Sequence, residues 1–129
     1  MMTVQSEGNY YLASHYQDKR RNFETWRVYY EDGRVEAYDG QAWWTVCHFS
    51  ESQIERAKAA IQASGLLSAS DLTAANIHDT ASLTYTWRWA GQSGSVTNWA
   101  YPARAHAVFE TLEAQLDLLE VEAGGPIAD

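Results

Sequence analysis

Residues 82–101, SLTYTWRWAGQSGSVTNWAY, decide the fold of this chain because they predict a β-hairpin around which the other elements can be placed. Polar and apolar residues alternate without interruption from Ser82 to Trp89, which is the period of a half-buried β-strand. Gly91 and Gly94 bracket a short turn, and β-branched and aromatic residues resume after it. The stretch therefore predicts two antiparallel strands.

The two faces of this hairpin differ in character. Symmetric closure of the turn gives one largely apolar face with the pairs Trp89–Val96, Trp87–Asn98 and Tyr85–Ala100. The opposite face is mixed and carries the pairs Arg88–Thr97, Thr86–Trp99 and Thr84–Tyr101. In this register Trp99 and Tyr101 lie on the face opposite Trp87. We expect either a loop or a partner to cover them.

A second hairpin is predicted for residues 23–39, where Asp32 and Gly33 suit a two-residue type I′ turn. Its register places four apolar residues on one face: Trp26, Val28, Tyr30 and Val35. The opposite face receives Arg27, Tyr29, Glu36 and Tyr38. Further strands are predicted for residues 10–16 and 42–49. Trp43 and Trp44 are adjacent, so in a strand they point to opposite faces.

Two helices follow from apolar spacing and end signals. Ser50 and Gln53 form a capping box before Ile54 and Ile61, and Gly65 ends the first helix. The second helix is predicted to begin at Pro102. Its apolar stripe comprises Ala105, Val108, Phe109, Leu112, Leu116 and Leu119. A second, acidic stripe comprises Glu110, Glu113, Asp117 and Glu120. Such a stripe is typical of a solvated face, and alternatively of a docking surface for a basic partner.

The element order, ββββ-α-ββ-α, predicts an α+β fold in which two helices pack on one face of an antiparallel sheet of about six strands. Residues 1–129 form a single domain, with residues 1–8 and 123–129 as loose tails. The predicted core draws on both hairpins and both helices: Trp26, Val28, Tyr30, Val35, Tyr85, Trp87, Trp89, Ile54, Ile61, Val108, Phe109, Leu112 and Leu116.

Composition narrows the classes of partner. Nine basic and seventeen acidic residues give a net charge of −8, which disfavours binding to nucleic acid or to an anionic membrane. Cys47 is the single cysteine, which fits a reducing compartment. The N-terminus has no signal-peptide pattern, and no apolar run approaches the length of a membrane helix. We expect a cytoplasmic protein.

The hairpin sequence YEDGRVEAYDG at residues 30–40, the Ser50-capped helix, the hairpin of residues 82–99 and the closing helix together resemble small, uncharacterised bacterial α+β domains. The resemblance spans residues 23–120. It implies the fold and assigns no functional residue.

The leading functional hypothesis is a small binding or accessory protein that uses the sheet face opposite the helices. That face is predicted to carry arginines among aromatic rings, a combination that recurs at protein interfaces. Its predicted binding residues are Arg27, Tyr29, Tyr38, Trp44, Arg88, Trp99 and Tyr101. The expected occupant is a protein partner or, equally, a second copy of the chain.

Two alternatives remain. A small-ligand carrier or enzyme would have its pocket near the loop of residues 66–80, with His78 and Asp79 at the mouth and Trp43 or Trp44 stacking on a ligand. An acidic inhibitor of a basic protein would use the net charge directly. We find no catalytic constellation, metal-ligand spacing or phosphate-binding glycine loop in the sequence, so an enzyme is disfavoured and no cofactor is predicted.

Overall fold

A computed structural model describes residues 9–73 and 81–124, which form one antiparallel sheet with two helices. The strands are β1 (Tyr10–Asp18), β2 (Phe23–Tyr30), β3 (Arg34–Tyr38), β4 (Trp43–His48), β5 (Ala81–Trp89) and β6 (Gln92–Tyr101). The helices are α1 (Glu51–Ser64) and α2 (Ala107–Glu122), and a 3₁₀ turn spans Leu66–Ser68. The spatial order is β4-β3-β2-β1-β5-β6. The predicted α+β class, the six strands and the element order are confirmed.

The start of α1 follows the predicted capping box. The Ser50 hydroxyl accepts from the Gln53 amide at 3.2 Å, and the Gln53 side chain accepts from the Ser50 amide at 2.9 Å. Gly65 ends the helix in a left-handed conformation with φ 87°. The predicted start of the second helix is wrong: Pro102 lies in a turn after β6, and α2 begins only at Ala107.

The predicted register of the β2–β3 hairpin is wrong by one residue. Tyr29, not Tyr30, pairs with Val35, so the turn contains three residues rather than two. The Gly33 amide donates to the Tyr30 carbonyl at 3.0 Å, and Gly33 adopts φ 99°. This is the three-residue hairpin loop with glycine in the left-handed position. Because side chains alternate along a strand, the change moves every side chain of β2 to the other face relative to β3.

The β5–β6 hairpin also closes differently from the prediction. Trp89 pairs with Gln92 across a two-residue turn, Ala90-Gly91, in which both residues have positive φ (53° and 76°). The predicted pairing of Trp89 with Val96 is therefore wrong by four residues. Over Leu83–Trp89 this even-numbered error keeps each side chain on its face, so Tyr85 and Val96 still lie together, opposite each other in the sheet. A bulge between Ala81 and Leu83 then pairs Tyr101 with Ala81 and turns Tyr101 to the helix-covered face, so its predicted place on the face opposite Trp87 is wrong.

The helix-covered face of the sheet holds the main core. Tyr29, Val35, Tyr85 and Trp87 pack there with apolar residues of both helices, which are Ile54, Ala57, Ile61, Phe109, Leu112, Leu116 and Leu119. As predicted, Ile54, Ile61, Phe109, Leu112 and Leu116 are buried, whereas Val108 and Trp89 are only partly buried.

The other face, here called the outer face, carries a second cluster. Val28, Tyr30 and Ala13 are buried beneath Tyr10, Trp26 and Trp43, and neither helix contributes a described residue to this cluster. The predicted place of Trp26, Val28 and Tyr30 in the helix-covered core is therefore wrong, for the register reason given above. Aromatic rings lying on the sheet bury this smaller core instead.

The free edge of β6 is partly protected. Leu72 forms an isolated parallel bridge with Asn98: its amide donates to the Thr97 carbonyl at 3.0 Å, and its carbonyl accepts from the Trp99 amide at 2.8 Å. The predicted tail of residues 1–8, the last residues of the C-terminal tail, and His78 and Asp79 lie outside the described residues. Within the described ranges, no helix has the length and apolar character needed to cross a membrane.

Candidate binding cleft

A cleft of about 420 Å³ opens on the helix-covered face, at the end of the sheet that contains the β1–β2 and β3–β4 turns. Its floor is formed by strand residues with short side chains: Ser14, Thr25 and Ala37. Cross-strand pairing aligns them, since Ser14 lies opposite Arg27, and Arg27 lies opposite Ala37. The volume falls within the range of about 300–1,000 Å³ that is usual for ligand pockets.

The two helices leave this corner of the sheet open. Helix α1 packs at the opposite end, where Lys58 contacts Glu31 at 2.7 Å and its ammonium lies over the Tyr11 ring. Helix α2 crosses the sheet and presents Glu113, Leu116 and Asp117 as one wall of the cleft. The depression therefore forms because the floor residues have short side chains and neither helix covers this corner of the sheet.

The base of the cleft is fixed by a buried ionic network. Glu120 of α2 is only 5% exposed and accepts from the Arg27 guanidinium and, at 2.6 Å, from the Tyr29 hydroxyl. Burial raises the pKa of Glu120, while Arg27 and Tyr29 oppose that shift. Burial and the Glu120 charge raise the pKa of Tyr29 well above its ordinary value. Glu120 thus neutralises Arg27 and ties α2 to β2.

A second carboxylate of α2, Glu113, has no such cation. It accepts from the Tyr85 hydroxyl at 2.8 Å. Burial raises the pKa of Glu113, with a smaller contribution from Asp117, and the bond from Tyr85 opposes the rise. Asp117, one helical turn further on, is exposed at the rim. Glu113 and Asp117 therefore form an acidic wall that makes no salt bridge with a cation in the described part of the chain, although Asp117 attracts Arg27 and raises its pKa.

A third carboxylate, Asp39, stands at the β3–β4 turn. It accepts from the amides of Gln41 and Ala42 at 2.9 and 3.0 Å, and these bonds lower its pKa. Arg27 is the cation that lines the cleft within the described part of the chain, and Glu120 offsets it. The lining therefore carries an excess of negative charge from Asp39, Glu113 and Asp117.

Aromatic rings form the remaining sides of the cleft. Trp44 stands at the edge strand β4 and is 41% exposed, which is high for so large an apolar side chain. Tyr16 and Tyr85 line the opposite side, on β1 and β5. The Tyr16 ring contacts Tyr101 edge-to-face, with 5.8 Å between centroids. Carboxylates beside aromatic faces are the combination that attracts organic cations.

The structure brings together some of the predicted binding residues and separates others. Arg27, Tyr29 and Trp44 line the cleft on the helix-covered face, not on the predicted face opposite the helices. Tyr38 borders the cleft, but it pairs with Trp26 and its ring lies 5.4 Å from that of Trp43, so its side chain belongs to the outer face. Tyr101, predicted on the face opposite the helices, also lies on the helix-covered face, where its ring contacts Tyr16.

Two predicted binding residues, Arg88 and Trp99, lie away from the cleft on the outer face. The Arg88 guanidinium stacks over the Tyr10 ring at 3.9 Å and donates to the Tyr10 carbonyl. The Trp99 indole is near Asp71, with Nε1 at 3.3 Å from its carboxylate. The predicted residues thus belong to two different faces of the sheet rather than to one.

Several cleft residues were missed or misjudged from the sequence. Ser14 and Thr25 gave no signal, because short polar side chains in strands are common. Glu113 and Asp117 were visible as part of the acidic stripe, whose solvated interpretation is wrong for Glu120 and incomplete for Glu113. The Arg27–Glu120 pair joins residues that are far apart in the chain. Its prediction would have required the correct assignment of the face of β2 on which Arg27 lies.

Other chemistry finds little support in the described residues. They contain no group of three or more His, Cys, Asp or Glu side chains that could hold a metal ion. Cys47 is buried, and burial raises the pKa of its thiol to about 11, which keeps it protonated at neutral pH.

Comparison with known proteins adds no assignment: no protein-family model matches the chain, and no curated protein matches it.

Proposed function

We propose that this chain is a small binding protein that holds a basic side chain of a protein partner in the cleft between α2 and the sheet. The observation that carries the proposal is the acidic wall: Glu113 and Asp117 face the cleft, and neither forms a salt bridge with a described cation. Arg27, the cation of the lining, is already paired with Glu120. The proposal combines the hypothesis of a binding protein with that of an acidic protein directed at a basic one.

The charge of the site favours a cation over an anion. An incoming carboxylate would meet Glu113, Asp117 and Asp39 at close range, whereas a guanidinium or ammonium would be attracted by all three. A guanidinium also has a flat face that can stack on Trp44 or Tyr16. Arginine is therefore the side chain that fits both features of the lining.

The rim of the cleft favours a protein as the bearer of that side chain. Trp44 and Asp117 are exposed at the rim. When a partner inserts one side chain into the cleft, its backbone would lie beside these two residues and could contact them. The net charge of −8 would also steer a basic protein toward this one and accelerate association at low salt. As part of the proposal we place this binding in the cytoplasm, since a single buried cysteine fits a reducing compartment.

The test compares two charge-neutralising variants. Glu113→Gln with Asp117→Asn removes the acidic wall, whereas Glu51→Gln with Glu55→Gln removes two exposed carboxylates from α1, away from the cleft. Calorimetric titration would use a short peptide with two adjacent arginines, and the same peptide with citrulline in place of arginine. The overall charge change is the same in both variants.

We expect the cleft variant to weaken binding of the arginine peptide by about tenfold or more, which corresponds to ~1.4 kcal/mol. The α1 variant should bind within about twofold of the wild type, since long-range charge effects are screened by salt. Equal affinity of the wild type for the arginine and citrulline peptides, or equal losses in both variants, would overturn the proposal.

A further inference from the structure

The β1–β2 turn carries two exposed cations that have no carboxylate partner within the described ranges, Lys19 and Arg20. Most other basic residues are already engaged with carboxylates of their own chain: Arg21, Arg27, Arg34, Arg56 and Lys58. We call residues 19–20 the basic tip. In a protein with net charge −8, this is a local surface of the opposite sign.

The basic tip is held in a defined shape. The Asn22 amide donates to the Lys19 carbonyl at 3.2 Å, and Asn22 adopts φ 53°. Asp18 accepts from the Arg21 amide at 3.3 Å and pairs with the Arg21 guanidinium at 2.9 Å. Such a turn loses less conformational entropy on binding than a flexible loop does.

The basic tip and the cleft lie at the same end of the sheet. Tyr16 and Thr25, which line the cleft, pair with each other just before the ends of their strands at Asp18 and Phe23. The tip therefore projects beyond the cleft of its own chain. When a projection and a complementary depression adjoin on one surface, a two-fold axis can place each projection in the partner's depression.

We propose that two copies of this chain associate symmetrically, each inserting the Lys19–Arg20 tip into the acidic cleft of the other. The inference rests on the proposed function, because it uses the same cleft for a basic side chain. It identifies one occupant of that cleft as a second copy. Arg20 and Lys19 of one copy face Glu113 and Asp117 of the other, which is charge complementarity in both directions.

Apolar surface at the same end supports this arrangement. Phe23, next to the tip, is 38% exposed, and Trp44, at the cleft rim, is 41% exposed. They are two of the six large apolar residues that are exposed in the described part of the chain. A reciprocal contact covers both rings in each copy, and aromatic residues at the centre of an interface contribute much of its stability.

The arrangement has a regulatory consequence. A cleft filled by the tip of a second copy is closed to a basic partner, so the partner must displace the tip. Binding of a basic peptide then depends on protein concentration: it weakens as the protein dimerises. A variant without the basic tip should be monomeric and should bind the arginine peptide more tightly than the wild type does at the same protein concentration.

Sedimentation velocity over a range of concentrations tests the dimer directly. Lys19→Ala with Arg20→Ala should raise the dimer dissociation constant by about tenfold or more, because the symmetric contact loses each cation twice. The conservative exchange Lys19→Arg with Arg20→Lys keeps both charges and should leave that constant within about threefold of the wild type.

A charge-reversal experiment separates contact from folding. Lys19→Glu with Arg20→Glu gives an acidic tip, and Glu113→Gln with Asp117→Lys gives a cleft of reversed sign. Each variant alone should be monomeric, and an equimolar mixture should form a heterodimer, since both reciprocal contacts are again complementary.

The outcomes distinguish the two proposals. A wild type that stays monomeric up to about 1 mM, or a tip variant that dimerises as well as the wild type, overturns the dimer and leaves peptide binding by the cleft standing. Failure of the monomeric tip variant to bind the arginine peptide overturns the proposed function, and the dimer falls with it.

Discussion

The β2–β3 and β5–β6 hairpins are each tied to α2 by a tyrosine–glutamate hydrogen bond, in contrasting surroundings. On β2, Tyr29 donates to Glu120, which is buried and also holds Arg27. On β5, Tyr85 donates to Glu113, which is half-buried, faces the open cleft and has no salt bridge to any cation that the structure describes. The same residue types therefore serve stability at one position, while at the other they leave a charge available for a ligand.

The difference follows from where α2 crosses the sheet. At Glu120 the helix lies directly over β2, so solvent is excluded and a buried carboxylate needs a full set of partners. At Glu113 the helix borders the uncovered corner, so water can solvate part of the carboxylate. The Glu113 carboxylate is tolerated at that corner because the fold there leaves it partly hydrated.

The largest effect should come from breaking the buried network. Glu120→Leu leaves the buried Tyr29 hydroxyl and the Arg27 guanidinium without their acceptor, which should cost about 3–4 kcal/mol of unfolding free energy, at the low end for a buried pair because the Arg27 side chain is 35% exposed. Chemical denaturation at neutral pH measures it. Adding Arg27→Met to the same variant removes the stranded charge and should recover much of the loss. A single variant as stable as the wild type would contradict the structural role of Glu120.

A smaller effect should separate the two turns. Gly33 and Gly91 both have positive φ, 99° and 76°, so alanine is strained at each by about 1–2 kcal/mol. An added Cβ at Gly33 would also collide with the Phe49 carbonyl, whereas at Gly91 it meets open space. Gly33→Ala should therefore cost about 3 kcal/mol and Gly91→Ala about 1 kcal/mol in denaturant titrations. Equal losses would show that the β2–β3 turn is not closed as described.

The class of fold was predictable because its signals are local. The capping box of Ser50 and Gln53, the glycine at position 65 and the alternation from Ser82 to Trp89 each act within one element. Together with hairpin connections they determine the order of strands and helices. None of these signals requires knowledge of which strands pair or which face is covered.

The face of β2 was not predictable, for a physical reason. Trp26, Val28 and Tyr30 are apolar, but Tyr29 between them is also aromatic, so hydrophobicity does not distinguish the two registers. Asp32-Gly33 is compatible with a two-residue or a three-residue loop. In β5 the alternation with threonine is clear, so an error of four residues left its faces correct, and only the bulge near Ala81 moved Tyr101 to the other face.

The cleft depends on that same face. Glu120 in the acidic stripe has its partners because Arg27 and Tyr29 point toward α2. Glu113, in the same stripe, lines the cleft instead. The stripe itself was visible in the sequence. Tertiary packing decides which carboxylate of the stripe is buried in the ionic network and which one lines the cleft.

The smallest predicted effect distinguishes Glu113 from Glu122, which also lies on α2, by the pH dependence of stability. The pKa of Glu113 is raised in the folded chain, chiefly by burial, so the folded state binds its proton more tightly than the unfolded state does. Its contribution to stability is therefore full below the ordinary pKa near 4.5 and is lost as pH rises through the folded pKa. The glutamine of Glu113→Gln does not titrate, so this variant should gain stability relative to the wild type between pH 4 and pH 7, by less than about 1 kcal/mol.

Glu122→Gln is the matched control. Arg56 lowers the pKa of Glu122, so that variant should lose stability relative to the wild type over the same range. Urea titrations at the two pH values measure both differences, and a common sign would contradict the assignment of Glu113 as the uncompensated carboxylate.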